Sequence, residues 1–420
     1  MLSTYFLSLV MLLPYGFTAT AQQPRVDKTA AEILGNPAYT AISYGGFRQL
    51  SRTEVPTVAE IKEDMKLLAA LDIKVLRTYN TQQFEHAARV LEAIRELKKE
   101  DPSFEMYVML GAWIDCENAW TATPNHSAEN IAGNTAEINA AVRMANAYPD
   151  IVKIIAVGNE AMVHWAASYY VVPGVILQWV NYLQDLKQRG ALPADLWITS
   201  SDNFASWGGG DGSYHLPDLN ALLQAVDYVS MHTYPFHDSH YNPAYWLGAP
   251  EETALSAKER AENAMQRAAL YAQSQYRQVA AYMQSQGISK PIHIGETGWA
   301  TVCGSLYGPN GSQAADEYKQ KLYYDLMRDW TSSAGMSCFY FEAFDEQWKD
   351  AHDPNGSENH FGLFTIDGKA KYVLWDKVDE EKFKGLSRGG NPITKTYDGN
   401  MERLLQDLLT PPVTGSNTAE

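Results

Sequence analysis

VKIIAVGNE (152–160) and PIHIGETGW (291–299) are short apolar runs rich in β-branched residues, and each passes through glycine to a glutamate near its end. Near-continuous apolar runs suit strands buried on both faces of a parallel sheet. Six more share the pattern: AISYGGF (41–47), IKVLRTY (73–79), EMYVMLGAW (105–113), LWITSSDNF (196–204), VDYVSMHTY (226–234) and MSCFYFEAF (336–344). Between them lie segments with apolar spacings of three and four, such as VAEIKEDMKLLAAL (58–71), FEHAARVLEAIRELKKE (84–100) and the long stretch 256–287, which ends on Gly287. Strand–helix alternation argues for parallel βαβ units. Eight such units predict a closed (β/α)8 TIM barrel, an α/β fold in a single domain, rather than an open doubly wound sheet. The sequence has neither a Gly-rich dinucleotide fingerprint after the first strand nor a phosphate-loop lysine motif.

The flanks divide the rest. Residues 4–17 (TYFLSLVMLLPYGF) form an apolar core of signal-peptide size, and Ala19-Thr20-Ala21 supplies a cleavage motif before Gln22, although no Lys or Arg precedes the run. Residues 1–21 are therefore expected to be a signal peptide and the protein to be secreted or periplasmic. Residues 22–36 read as a leader, 37–376 as the barrel, and 377–420 as a C-terminal helical extension with a flexible tail. No later segment has the length and apolarity of a membrane span.

Composition narrows the partners. Across 420 residues, 50 Asp plus Glu against 33 Lys plus Arg give a formal charge of −17, which argues against nucleic acid or an anionic membrane surface. Cys116, Cys303 and Cys338 are too few and too widely spaced for a disulfide framework or a zinc motif, and read as buried thiols. His232, His237 and His240 crowd one loop without a metal-binding spacing. Asp350, Asp353, Asn355 and Glu358 read as a turn-rich acidic loop rather than a calcium site. No metal and no cofactor are expected, and the chain is expected to act as a monomer. Aromatics reach 12%, enough to fill a core or to stack on the flat faces of sugars.

In such a barrel the chemistry gathers at the C-terminal strand ends. Glu160 and Glu296 then face one pocket from opposite sides, and strand alternation predicts Ile292, Ile294 and Glu296 on one face. Paired carboxylates across a cleft are what glycosidic cleavage requires, one to protonate the leaving oxygen and one to attack or to activate water. Their environments must push the two pKa values apart. A lone strand-end glutamate is as readily a surface residue; two, each beside glycine and a small polar residue, weigh against that.

VGNEA (157–161) and IGETGWA (294–300) resemble the acid/base and nucleophile motifs of glycoside hydrolase family 17, β-1,3-glucanases and β-1,3-glucanosyltransferases on the barrel fold. ISYGGF (42–47), LRTYN (76–80), GAWID (111–115), YFEAFDEQWK (340–349) and HFGLF (360–364) extend the resemblance over residues 41 to about 365, closer to fungal and bacterial members than to plant enzymes. The resemblance implies Glu160 as general acid/base, Glu296 as nucleophile of a retaining mechanism, and Asn159 as a hydrogen-bond partner of the reacting sugar's 2-hydroxyl. Tyr79 ends the second strand within reach of a pocket carboxylate, Tyr234 ends the sixth and is expected to position the nucleophile, and Tyr44 is a weaker candidate of the same kind. Trp299, Phe344 and Trp348 are candidates to stack on glucose rings, each equally able to be core. Glu342 matches the family's extra carboxylate, read as a partner of substrate or of a tyrosine.

The expected activity is endo-hydrolysis of laminarin-like β-1,3-glucan through a covalent glucosyl–Glu296 intermediate. The nearest rival transfers the same glucosyl group to another glucan. A non-catalytic glucan-binding barrel, a β-1,4-glucan- or mannan-active relative and a metal-dependent hydrolase are the remaining alternatives.

Overall fold

The computed structural model describes residues 28–415. The expected signal peptide lies outside the described residues, as do positions 22–27 of the leader and 416–420 of the tail. All eight expected strands form: β1 (Thr40–Ser43), β2 (Ile73–Arg77), β3 (Tyr107–Ala112), β4 (Val152–Asn159), β5 (Trp197–Asn203), β6 (Val229–His232), β7 (Ile292–Gly298) and β8 (Cys338–Phe341). They pair in parallel, each with its sequence neighbours, and β1 closes on β8, so the sheet is a complete barrel. Full closure leaves no strand edge unpaired.

The outer ring contains α1 (Val58–Ala70), α2 (His86–Glu100), α3 (Ile131–Ala147), α4 (Pro173–Gln188), α5 (Pro217–Ala225), α6 (Ala257–Ser285) and α7 (Glu317–Ser333). Local chemistry sets several of their starts. Thr57 with Glu60, and Ser256 with Glu259, form reciprocal capping boxes on α1 and α6, while Pro173 and Pro217 occupy the first turns of α4 and α5. Along the strands, alternate residues separate two buried layers. Val75, Met109, Ile154, Ala156, Tyr228 and Phe339 fill the barrel interior, and Leu76, Val108, Ile155 and Val229 join the larger core under the helices.

Part of the segment read as a leader belongs to that interior. The short helix Ala30–Ile33, capped by Thr29 and Glu32, packs Ala30, Ile33 and Leu34 onto the interior cluster and forms the barrel floor. The C-terminal segment packs on the barrel. It has two short helices, Trp375–Asp379 and Met401–Gln406, and a two-stranded pairing of Ser387–Arg388 with Asn391–Pro392. Arg388 donates to Asp64 on α1, and Leu404 joins Ala261, Tyr318 and Trp375. Cys116, Cys303 and Cys338 are free and buried. Among the described residues no helix is long and apolar enough to cross a membrane.

One expectation about strand faces fails. Ile292 and Ile294 pack into the helix-side core, while His293 sits beside Tyr228 in the interior with ring centroids 5.3 Å apart. The register against β6 then slips, pairing Met231 with Ile294 but His232 with Glu296, and this bulge turns Glu296 inward. Gly295 is the skipped residue; a Cβ there would lie 2.1 Å from Ser230 Oγ. A matching slip on β4, between Ala156 and Asn159, contains Gly158 at φ +83°. Each candidate carboxylate thus follows a glycine-marked register shift.

Candidate active site

A cavity of about 770 Å³ opens at the C-terminal ends of the strands, and Tyr79, Asn159, Glu296 and Trp348 are among its lining residues. Glu296 is 6% exposed. Its Oε2 accepts from Tyr79 Oη at 2.7 Å and is ion-paired with Arg77 Nη1; its Oε1 accepts from Tyr234 Oη at 2.7 Å. Burial by itself pushes this carboxyl up, but the Arg77 charge and the two phenolic donors outweigh it and hold Glu296 well below the usual carboxylate range. Burial raises the phenols of Tyr79 and Tyr234 well above their ordinary value, with the Glu296 charge adding to it, so both remain donors.

Glu160 has the opposite setting. Its backbone is left-handed, φ +46°, and its N–H donates to Ser201 O at 2.9 Å. Carboxylate Oε1 lies 3.1 Å from His232 Nδ1, and His232 Nε2 lies 2.7 Å from Ser201 Oγ. Burial first, and the neighbouring Glu296 charge second, raise the Glu160 carboxyl far above its ordinary value. Burial also pushes the His232 imidazole down to about 4, so the ring is neutral at physiological pH.

Arg77 was not singled out in the sequence, although LRTYN contains it. It is 1% exposed, and besides Glu296 it holds Asn159 Oδ1, at 2.5 Å from Nη2. That bond fixes the Asn159 amide with its oxygen toward Arg77. The signal was available: arginine at the inner end of an apolar strand has to find an anion.

Other expected site residues stand elsewhere. Trp299 is fully buried on the helix side, its Nε1 donating to Ala314 O at 2.8 Å and its ring packed on Tyr323 of α7. Strand alternation past Glu296 and Thr297 turns it away from the mouth. Phe344 is buried against Phe364 under the Arg388 guanidinium. Tyr44 is fully buried at the cavity wall with its hydroxyl 3.0 Å from Asp64 Oδ2, so that group is engaged behind the site. Glu342 is buried and paired with Lys349 at 2.5 Å, and it bonds no tyrosine. Trp348 does line the cavity, with Arg52 4.3 Å over its ring. Among the described residues no group of three or more His, Cys, Asp and Glu side chains is arranged to hold a metal ion. His237 Nδ1 lies 3.0 Å from Tyr307 Oη, and the Asp350–Glu358 turn is held by Asn359 Nδ2, which donates to the carbonyls of Asp350 and Asp353.

The BtgE/BtgC glycoside hydrolase domain model matches residues 41–362, the span from β1 past β8. The chain belongs to this family, within glycoside hydrolase family 17. A solved structure of an endo-laminarinase from Formosa Hel1_33_131 is 61% identical, covering 94% of this chain and 100% of that one, with a TM-score of 0.90. A glucan 1,3-beta-glucosidase of Arthroderma benhamiae is 26% identical over 77% of this chain and 87% of its own length. A probable glucan endo-1,3-beta-glucosidase, btgC, of Aspergillus fumigatus is 26% identical over 72% of this chain, but the match spans only 37% of that longer relative. A family 17 β-1,3-glucanosyltransferase of Rhizomucor miehei, at 19% identity and TM-score 0.53, shares the fold.

Proposed function

We propose that this family member hydrolyses internal β-1,3-glucosidic bonds of laminarin-like glucan by a retaining double displacement, with Glu296 as nucleophile and Glu160 as acid/base. The observation that carries it is the opposite electrostatic setting of two neighbouring carboxyls: Glu296, in the cavity wall, is held anionic by Arg77, and Glu160 is held protonated by burial and by the Glu296 charge. The 61% identity to an endo-laminarinase supports the substrate.

In the first step a Glu296 oxygen bonds to the anomeric carbon, the C1–O bond breaks, and Glu160 gives its proton to the departing sugar oxygen. Forming the ester removes the Glu296 charge, which was part of what raised the Glu160 carboxyl. Glu160 is thereby a better match for its second task, taking a proton from the water that attacks C1 as Glu296 departs. Tyr79 and Tyr234 aim the Glu296 oxygens, and Asn159, turned by Arg77, offers its Nδ2 to the sugar 2-hydroxyl.

The same reading includes export through the signal peptide at 1–21, a barrel over 37–376 with 377–420 as its C-terminal extension, and action as a monomer. The test is a time course on laminarin with the anomeric configuration recorded by NMR. Retained β-products of mixed length, abolished in Glu296→Gln, are expected. Inverted products, or an active Glu296→Gln, would remove the nucleophile assignment, and products longer than the substrate would replace hydrolysis by transfer.

A further inference from the structure

Beyond β3 the chain makes a β-hairpin, Cys116–Glu117 against Asn125–Glu129, that the sequence did not announce. Its turn carries Trp120, which lines the same cavity as Glu296 and Asn159 yet is 62% exposed. A large apolar side chain so open beside a polar cleft has no packing role that requires it.

Three observations show a built feature. The backbone is strained to present it: Asn118 and Trp120 have φ of +57° and +64°, a conformation a bulky residue seldom adopts. Trp120 N donates to Ser168 O at 2.8 Å, tying the hairpin to the loop after β4. One face of the indole is backed by Tyr169, centroids 5.0 Å apart and planes 23° apart, and Tyr169 also packs 5.0 Å from Trp113. Trp113, Tyr169 and Trp120 thus form one stacked aromatic cluster, whose Trp120 member stays exposed at the cavity.

A flat, fixed, aromatic face at the cleft wall matches the C–H face of a pyranose ring. We propose that Trp120, backed by Tyr169 and Trp113, is a stacking platform for a glucosyl unit remote from the bond that breaks, and that it determines the preference for long over short β-1,3-glucan chains. This rests on the glucanase reading above. Remote binding of this kind is used to hold the chain in register at the reacting bond.

The experiment compares the purified enzyme with Trp120→Ala, Trp120→Phe and Trp165→Ala on laminaritriose and on long linear β-1,3-glucan. Trp165 is equally exposed on the neighbouring loop but does not line the cavity. Trp120→Ala is expected to lower kcat/KM on the long chain about five- to tenfold more than on the trisaccharide, through KM. Trp120→Phe should restore most of it, and Trp165→Ala should behave as wild type. Equal losses on both substrates, or no loss, would overturn the proposal. Binding of intact laminarihexaose to Glu296→Gln, with and without Trp120→Ala, is measured by calorimetry. It reads the platform independently of catalysis: weaker binding in the double variant supports the platform, and equal binding overturns it. An inactive wild-type enzyme that still binds the hexasaccharide through Trp120 would sink the hydrolase reading alone.

Discussion

The Arg77 guanidinium and the Glu296 carboxylate form a buried ion pair across the barrel mouth, from strands β2 and β7. Burying two charges is costly unless the remaining hydrogen-bonding capacity is filled, and here Tyr79, Tyr234 and Asn159 fill much of it. One cation thus sets the charge of the candidate nucleophile and the orientation of the asparagine beside the candidate acid.

Removing that cation should move the acid limb of the pH–rate profile. On the proposed mechanism only ionised Glu296 attacks, and the Arg77 charge holds its carboxyl low against burial. In Arg77→Met the carboxyl rises, so it is already protonated at a pH where wild type is active. The acid limb of kcat/KM is expected to shift upward by more than one pH unit, about the scale of one strong charge partner. An acid limb that stays in place would show that Arg77 does not control Glu296.

On the same mechanism the alkaline limb belongs to Glu160, as the donor of the proton that releases the leaving sugar. Its carboxyl is raised by burial and then by the Glu296 charge, so activity should persist until pH passes well above the ordinary carboxylate range. Glu296→Gln removes that charge and should lower the Glu160 pKa. Carboxyl 13C NMR titration reads this in the inactive variant, and an unmoved Glu160 would mean that the two groups are not coupled.

Glu137 ties two loops of the cavity together. Its Oε2 accepts from Thr81 N at 2.7 Å and Trp113 N at 3.2 Å, and its Oε1 from Gln82 N at 3.0 Å and Gln83 N at 3.1 Å. Glutamine would turn a donor toward backbone N–H groups at one of these oxygens. Glu137→Gln is expected to cost about 2–4 kcal/mol in denaturant unfolding, from lost bonds to a charged acceptor. A change under about 0.5 kcal/mol would place these loops' support elsewhere.

Arg388 is the C-terminal segment's anchor. It is 1% exposed, donates from Nε to Asp64 Oδ1 at 3.0 Å, and lies 4.1 Å over the Phe344 ring. Asp64 is itself fully buried and also bonds Tyr44 and Arg48. Arg388→Met leaves that carboxylate short of one cation and should destabilise the barrel by about 3–5 kcal/mol by chemical denaturation. A loss below about 1 kcal/mol would show the extension to be an independent appendage.

The barrel was legible because eight apolar runs separated by helical periods have one economical closure, and every run became a strand. The placement of Glu160 and Glu296 at strand ends was legible as well. The route by which Glu296 faces inward was not, because a bulge at Gly295 leaves no mark in an alternation pattern. Trp299 shows the converse error: its nearness in sequence to Glu296 suggested the cleft, whereas its parity with Thr297, which bonds Tyr323 on α7, sends it under the helices. Phe344 and Tyr44 went to a buried arginine–aspartate cluster whose Arg388 lies 324 residues from Asp64, a partnership no local window contains. Trp120 lies in a polar stretch, CENAWTATPNHSAEN, with no strand period to reveal a hairpin.

The floor helix Ala30–Ile33 closes the barrel at the pole opposite the cavity. Anything joined ahead of Lys28, whether an affinity tag, a bead or a cell-surface anchor, therefore pulls from behind the enzyme and leaves the cleft directed outward. A polymer too large to diffuse around the protein meets the mouth first, so immobilisation through the N-terminus suits an insoluble glucan.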